Sequence, residues 1–585
     1  MTATTLLETS APRTLEAWTE RFARPEWRGA TVEGWLFDGV AARRGAQERL
    51  RAAGVDARLR SCYKPLLHYF LEEVDRDRLS AVTVRYPVHP RALPQRFVME
   101  AYPLAALLPG VALDFVAGPA DLHHEVALRF RDGSGRTERV FAPNREHAGC
   151  TAAIHLSPTG WLRVRRPGAA APAIDAQQDT AYEVLFARML QAVRGHDWPA
   201  CEPFFERLEI HADLHGIEEP LPVGHECVST HEALHEDIYF SLLELFQERS
   251  GRAPGDRRLQ PGQIVPDVRA SGAAPRLRVA LRAFEPVPPP AGAAPGPQPA
   301  LDALDAAPTA QRVATELAAI EGQRFGATSR QGREVAGVHH PGRGAAVFVS
   351  GGQHANETSG IVGALRAAQA LQRAGASFAV LPLENPDGYA LQSELSVQHP
   401  RHMLHAARYS ALGDDIEYRE QAPLYEREAR QRALVLSGAQ LHVNLHGYPA
   451  HEWTRPLSGY LPQGFELWSI PKGFFLILRH HAGWLGEAQA LMEQVSAAIA
   501  RVPGLAEYNA RQLALYERHA GTLPFQVLHG TACLLSQVDR PGAPVTLITE
   551  FPDETIHGDA FRFAHTVQME TALAAVRAWQ GLARA

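Results

Sequence analysis

The chain has 585 residues, 45% hydrophobic and 21% charged, with a formal net charge of −7 at pH 7. A single hydrophobic core stops growing near roughly 250–300 residues, so several folded domains are expected rather than one core or a disordered chain. The acidic balance gives no basic footprint for nucleic acid, and no run approaches the ~18 apolar residues of a membrane span.

Cys62, Cys150, Cys201, Cys227 and Cys533 are scattered and form no C-x-x-C pair, which argues against a disulfide framework and a thiolate metal site. A reducing compartment fits this usage. The N-terminus mixes Glu8, Arg13 and Glu16 with short apolar pairs and lacks the unbroken apolar core of a secretion signal, so a cytoplasmic location is expected. Among the 58 basic residues only Lys64 and Lys472 are lysines, a bias read as genome composition.

In chain order, residues 1–24 read as an N-terminal extension. From 25 to 170, short β-branched or alternating runs at 81–86, 112–116 and 125–130, broken by proline and glycine, predict a β-rich domain. Residues 171–284 turn helical at 182–193 and 231–249, with Gly195 and Gly251 as stops, and read as a mixed α+β accessory region. Residues 285–308 are rich in proline and alanine and predict a semi-rigid linker. Beyond it, 309–585 alternates: a strand at 345–350, a helix at 358–373, a strand at 378–383, and later strands at 440–445 and 545–549. That pattern predicts an α/β domain on a parallel or mixed sheet, whose functional groups gather at the carboxyl ends of strands. The apolar stretch 453–484 predicts a hairpin added to that domain, with a wall of the substrate pocket or a contact with the N-terminal half as the alternatives.

Two segments carry metal-ligand spacing. His231-Glu232-Ala233-Leu234-His235 is an H-E-x-x-H on a predicted helix, but Ile238 and Ser241 stand where the extended motif needs Gly and His. It is expected to be a hydrogen-bonded or solvated helix face, as is the H-x-x-E of His215 and Glu218. The second candidate, His354 and Glu357 in Gly351-Gly352-Gln353-His354-Ala355-Asn356-Glu357, follows a strand and opens a helix. A catalytic zinc usually takes three protein ligands and leaves one position open. His446, which closes an apolar strand and precedes Gly447, is the expected third. Cleavage of an amide by metal-activated water also needs a proton carrier, and Glu550 at the end of the 545–549 strand meets that need.

With these residues in place, the segment from about residue 311 to the C-terminus resembles the M14 zinc metallocarboxypeptidases. The shared features are Gln331-Gly332-Arg333, the H-x-x-E pair, Asn385-Pro386-Asp387-Gly388-Tyr389, His446 and Glu550. The resemblance implies an α/β/α sandwich on a mixed central sheet, one Zn2+ held by His354, Glu357 and His446, and Glu550 as general base and acid. It further implies Arg401, with Arg408 as fallback, as the carbonyl-polarising arginine, Asp415 as the group orienting His354, and Tyr448 as a cleft residue.

Where the family carries Asn-Arg to clamp a terminal carboxylate, this chain has Glu417-Tyr418. Arg419 could replace the clamp with a one-residue slip, or Glu417 with Asp414 could accept a cationic group. The family's mobile pocket tyrosine has no counterpart at its usual spacing. The expected function is a zinc-dependent carboxypeptidase-like hydrolase cleaving a terminal peptide or isopeptide bond. The alternatives are a zinc amidohydrolase of small N-acyl compounds, like the aspartoacylase branch, and a binding protein with an inactive hydrolase domain. The expected partner is a peptide or small amide substrate, the subunit count is left open, and the N-terminal half is expected to gate access to the cleft.

Overall fold

Apolar runs stopped by glycine and polar residues build the sheet of the C-terminal unit, which comprises Arg257–Gln263, Phe284–Ala450 and Ile470–Ala585. The structure is a computed structural model and describes residues 3–149, 153–287, 298–461, 465 and 469–582. Cys150 and 288–297 of the expected linker lie outside the described residues. The strands of this unit are β1 (Gln323–Thr328), β2 (Glu334–His340), β3 (Arg343–Gly351), β4 (Ala376–Leu381), β5 (Leu441–Pro449), β6 (Phe475–His480), β7 (Gln526–Leu528), β8 (Thr531–Gln537) and β9 (Val545–Glu554). They form one sheet in the order β1-β2-β4-β3-β5-β9-β6-β8-β7.

The sheet is mixed: β3 is parallel to β4 and β5, and β5 to β9, whereas β6 runs antiparallel to β9. Every residue of β5 is buried, as a central strand covered on both faces requires. One face packs Val347, Val349, Val443, Leu445 and Leu547 against α1 (Ser359–Ala374), α3 (Leu485–Ile499) and α4 (Asp559–Leu582). On the other, Phe348, Ala379 and Leu381 meet Ala429 and Ala433 of α2 (Glu426–Ser437). The expected α/β/α layering on a mixed sheet is therefore present. Helix α2 packs over β1, β2, β4 and β3, while the polar side chains of β5 and β9 lie farther along the same face.

The N-terminal unit comprises Met1–Asp256, Ile264–Ala283 and His451–Ser469. Thr4–Ser10, within the expected extension 1–24, pairs with Arg276–Arg282. Ile174–Gln177 pairs with Trp161–Arg165, which puts paired strands on both sides of the expected boundary at 170. Strand pairing is non-local, and a reading by local pattern cannot see it.

The expected hairpin at 453–484 is not one element. Residues 475–480 are β6, inside the sheet between β9 and β8, whereas 451–469 belong to the N-terminal unit; Leu467 and Trp468 lie outside the described residues. Within that unit Trp453 stacks on Phe240 with ring centroids 5.4 Å apart, and Arg455 reaches Glu244. These partners explain the placement, because a buried aromatic and a buried guanidinium both need cover. No helix among the described residues is long and apolar enough to cross a membrane.

Candidate metal centre

The loop after β3 turns at Gly352, whose φ of 62° is open to glycine at little strain. It is pinned to the end of β4 by Glu384 N–H donating to Gly351 O at 3.0 Å and Asn385 N–H to Gly352 O at 2.9 Å. This fixes His354 and Glu357 beside the carboxyl end of β5, where His446 sits. His354 Nδ1 lies 2.9 Å from Glu357 Oε1, His446 Nδ1 lies 2.8 Å from Glu357 Oε2, and the two Nδ1 atoms are 3.1 Å apart. Gly447 N–H donates to Glu357 Oε2 at 3.0 Å. A Cβ at Gly447 would stand 1.9 Å from Asp553 Oδ1, so only glycine allows this approach.

His354, Glu357 and His446 are the only set of metal-holding groups among the described residues, with ligand atoms all within 4.8 Å of one another. The donor chemistry fits a zinc ion: two imidazole nitrogens converge on one carboxylate, and the His354 ring keeps its other nitrogen for a supporting contact. For His354 that contact is Asp415, whose Oδ2 lies 3.4 Å from Nε2. Asp415 is held in turn by Gln353 Nε2 at 3.0 Å and the Glu417 N–H at 3.0 Å, with Arg257 at 3.7 Å. Supporting carboxylates of this kind fix the tautomer and ring orientation of a ligating histidine.

Arg401 is exposed; the guanidinium that reaches this cluster is Arg408, whose Nη1 is 2.5 Å from Glu357 Oε1 and 3.8 Å from Glu554 Oε1. The cause is the Asn385 side chain, which donates to Tyr409 O at 3.1 Å and Arg408 O at 3.4 Å and so sets the backbone carrying Arg408. Asn385 also caps the helix Pro386–Ser396 by accepting from Gly388 N–H. Asp387 accepts from Ser329 Oγ, Gln331 N–H and Arg333 Nη1, which ties Gln331-Gly332-Arg333 to Asn385-Pro386-Asp387-Gly388. Both sequence motifs are thus bracing around the loop that presents Arg408.

Glu550 stands opposite His446 in the β5–β9 register and is buried. Burial, then Glu357, pushes its carboxyl well above the usual range, with Arg408 and Lys472 opposing. Glu357 is held well below its ordinary value despite burial, by His354, Arg408 and His446. For His354, burial and Arg408 push downward, but Glu357 and Asp415 prevail and its pKa is raised. Asp553, beside Gly447, is pushed up to about 7 chiefly by burial.

Tyr448 is buried; its hydroxyl donates to Gly473 O at 2.6 Å and accepts from Lys472 N–H at 2.9 Å. Lys472 Nζ lies over the rings of Tyr448 at 4.8 Å, Phe475 at 5.5 Å and Tyr516 at 5.9 Å, and burial lowers its pKa to about 7. Sequence reasoning passed over this residue, yet it held a signal. In a chain that uses arginine almost everywhere, a retained lysine marks a place for a compact ammonium that titrates. Gln353 was also passed over; its Oε1 accepts from Asn444 Nδ2 at 2.9 Å and Arg430 Nη2 at 2.6 Å.

Glu417 is no free acceptor for a cationic substrate. Its carboxylate is paired with Arg430, with Arg427 at 3.7 Å and Arg479 and Arg540 at 4.0 Å each. Tyr418 lies under Arg540, 4.4 Å from its ring, with Arg257 at 5.7 Å. Asp414 and Arg419 hold each other, and Arg419 is further bound to Glu426, so neither faces a substrate. In the N-terminal unit, His231 contacts Glu218 and Leu214 O, while Glu232 holds His451 at 2.8 Å. The H-E-x-x-H is thus a hydrogen-bonded, buried helix segment. The described cysteines are all free.

No protein-family model matches the chain, and no curated protein matches it. Among solved structures it is similar to the carboxypeptidase A of Helicoverpa armigera, with 11% identity over 47% of this chain and 72% of that one at a TM-score of 0.30. It is similar also to a metallo-carboxypeptidase from Pseudomonas aeruginosa, at 17% identity over 52% and 71% of the two chains, TM-score 0.28. A third is a metallo-carboxypeptidase from Burkholderia cenocepacia, at 15% identity over 54% and 76%, TM-score 0.27.

Proposed function

We propose that this protein is a zinc-dependent, carboxypeptidase-like hydrolase that cleaves an amide bond at the end of a peptide or of a small amide substrate. The observation that carries this reading is the meeting of His354 Nδ1, Glu357 and His446 Nδ1 within 4.8 Å of one another, with Glu550 registered directly opposite His446. His354, Glu357 and His446 would hold a zinc ion, which would supply Lewis acidity toward the scissile carbonyl and toward water. Glu550 takes the proton of the attacking water as the new C–O bond forms. It returns that proton to the amide nitrogen as the C–N bond breaks, and the water's second proton leaves as the new carboxylic acid ionises, giving a carboxylate and a protonated amine. Its raised proton affinity suits a group that must hold a proton between the two steps.

Arg408 serves the carbonyl oxygen. Its Nε is buried without a hydrogen-bond partner among the described residues, and a buried donor left unpaired is costly until a ligand oxygen accepts from it. Asp415 holds the His354 ring, and Gly447 N–H steadies Glu357. The amidohydrolase reading draws support from one observation: Arg419 is consumed by Asp414 and Glu426, so the clamp position offers no guanidinium for a terminal carboxylate.

The test is Glu550→Gln. Turnover should fall by about 10²–10⁴-fold, while zinc content measured by plasma mass spectrometry stays at the wild-type level. Undiminished turnover would remove Glu550 from the mechanism, and loss of zinc would make it a ligand instead.

A further inference from the structure

The face of the sheet that carries His446 and Glu550 continues along the strands to a second polar group. Register pairs His446 with Glu550 and Phe475 at one rung, and His442 with Thr546 and Arg479 at another. The rungs are four residues apart, about 13 Å of strand. At the second rung Glu417, Arg430, His442, Arg479, Arg540 and Thr546 line a small cavity of about 40 Å³. That is room for a carboxylate and little more.

The charge there is unbalanced. Arg430 is shared between Glu384 and Glu417, and Arg427 spends its donors on the Ile416 and Pro541 carbonyls. Among the described residues Glu417 is the carboxylate paired with Arg479 and Arg540, at 4.0 Å from each, beyond hydrogen-bonding distance. Arg540 Nη1 is buried without a hydrogen-bond partner among the described residues. The Arg479 and Arg540 side chains keep 29% and 36% of their exposure, so an incoming group can reach them. Burial and Arg430 together lower the Arg427 pKa, with Glu417 and Glu384 opposing, as expected where cations outnumber anions. Two residues of the cavity wall are tied by hydrogen bonds to the surroundings of the metal centre: Arg430 also holds Gln353, the partner of Asp415, and Glu417 N–H donates to Asp415.

We propose that the Arg479–Arg540 cavity is a binding site for an acidic side chain on the leaving residue of the substrate. This rests on the hydrolase reading above and adds the substrate class to it. Guanidiniums match a carboxylate bidentately, and the separation of the two rungs puts such a carboxylate several bonds from the scissile amide. A bidentate contact with a carboxylate would satisfy Arg540 Nη1 and bring an anion against the surplus guanidiniums.

The experiment uses the full-length zinc-loaded protein and two N-acetylated dipeptides that differ only in ending in glutamate or glutamine. Glutamate should be preferred by about tenfold or more in kcat/KM, and the preference should fall toward unity, through KM, in R540Q and in R479A/R540A. Equal turnover of both peptides by the wild type, or a preference that survives in both variants, overturns the assignment. Cleavage of neither peptide would count against the hydrolase reading, and the cavity is then judged by thermal shift with glutarate. Glutarate should raise the Tm of the wild type and of Glu550→Gln but not of R540Q; no rise in the wild type, or an equal rise in R540Q, overturns the site.

Discussion

Replacing Arg408 with alanine separates the arginine chosen by tertiary structure from the one chosen by spacing. Arg408 Nη1 lies 2.5 Å from Glu357 Oε1, and the side chain is only 13% exposed. It is the guanidinium that offsets Glu357, Glu554 and Glu550, and those carboxylates in turn raise its own pKa against the pull of burial. Removing one partner of a buried ion pair costs about 3–5 kcal/mol, because the remaining charge stays buried without compensation. At 1.4 kcal/mol per decade that is about a hundredfold or more in the unfolding equilibrium. Arg401→Ala, at an exposed position, should stay within about 0.5 kcal/mol of wild type. Urea unfolding of the full-length protein, followed by tryptophan fluorescence in chelator and then with added zinc, measures both. The Arg408→Ala deficit should shrink on adding zinc, since a divalent cation on Glu357 replaces the missing positive charge. A deficit equal to that of Arg401→Ala in chelator would refute the assignment of Arg408 to the site.

Two further outcomes follow from the same contacts. Asp415→Asn keeps the size of the side chain but weakens its hold on His354 Nε2, so zinc affinity by chelator competition should drop about 10–100-fold; unchanged affinity would mean that the ring is oriented by packing alone. In the N-terminal unit, burial alone would lower the His451 pKa, but Glu232, with Glu226 and Glu452, raises it from 6.5 to about 9. A folded pKa above the unfolded one stabilises fully below the unfolded value and loses that contribution as pH rises through the folded value. The stability advantage of wild type over His451→Gln, of order 3 kcal/mol, should therefore decline between about pH 6.5 and 9. Urea midpoints across that range that stay parallel for the two proteins would contradict it.

Much of the metal centre is legible locally. His354 and Glu357 follow an apolar strand at a spacing that lets both meet one ion, His446 and Glu550 follow the apolar positions of β5 and β9, and the parallel pairing of β3, β5 and β9 brings these residues together. Short-range pattern carries these facts because the apolar residues of β3, and the alternate apolar residues of β5 and β9, are those the sheet buries against its helices. The choice of Arg408 over Arg401 is not local. It depends on Asn385 grasping the carbonyls of Arg408 and Tyr409 from more than twenty residues away.

Glu417 shows the same division. Its position two residues after Asp415 is plain in the sequence, and so is its departure from an asparagine-arginine clamp. That its charge is already taken is decided by Arg427 and Arg430 on α2, Arg479 on β6 and Arg540 beyond β8. Likewise, the apolar residues from 453 onward read as an addition to the C-terminal domain. His451 and Arg455 instead find their counter-charges on Glu232 and Glu244 in the N-terminal unit. Side-chain type and local spacing determined which strands form and which groups could ligate a cation. Which charges are spent on one another was settled only in three dimensions, because electrostatic partners are selected by proximity in space and carry no periodicity along the chain.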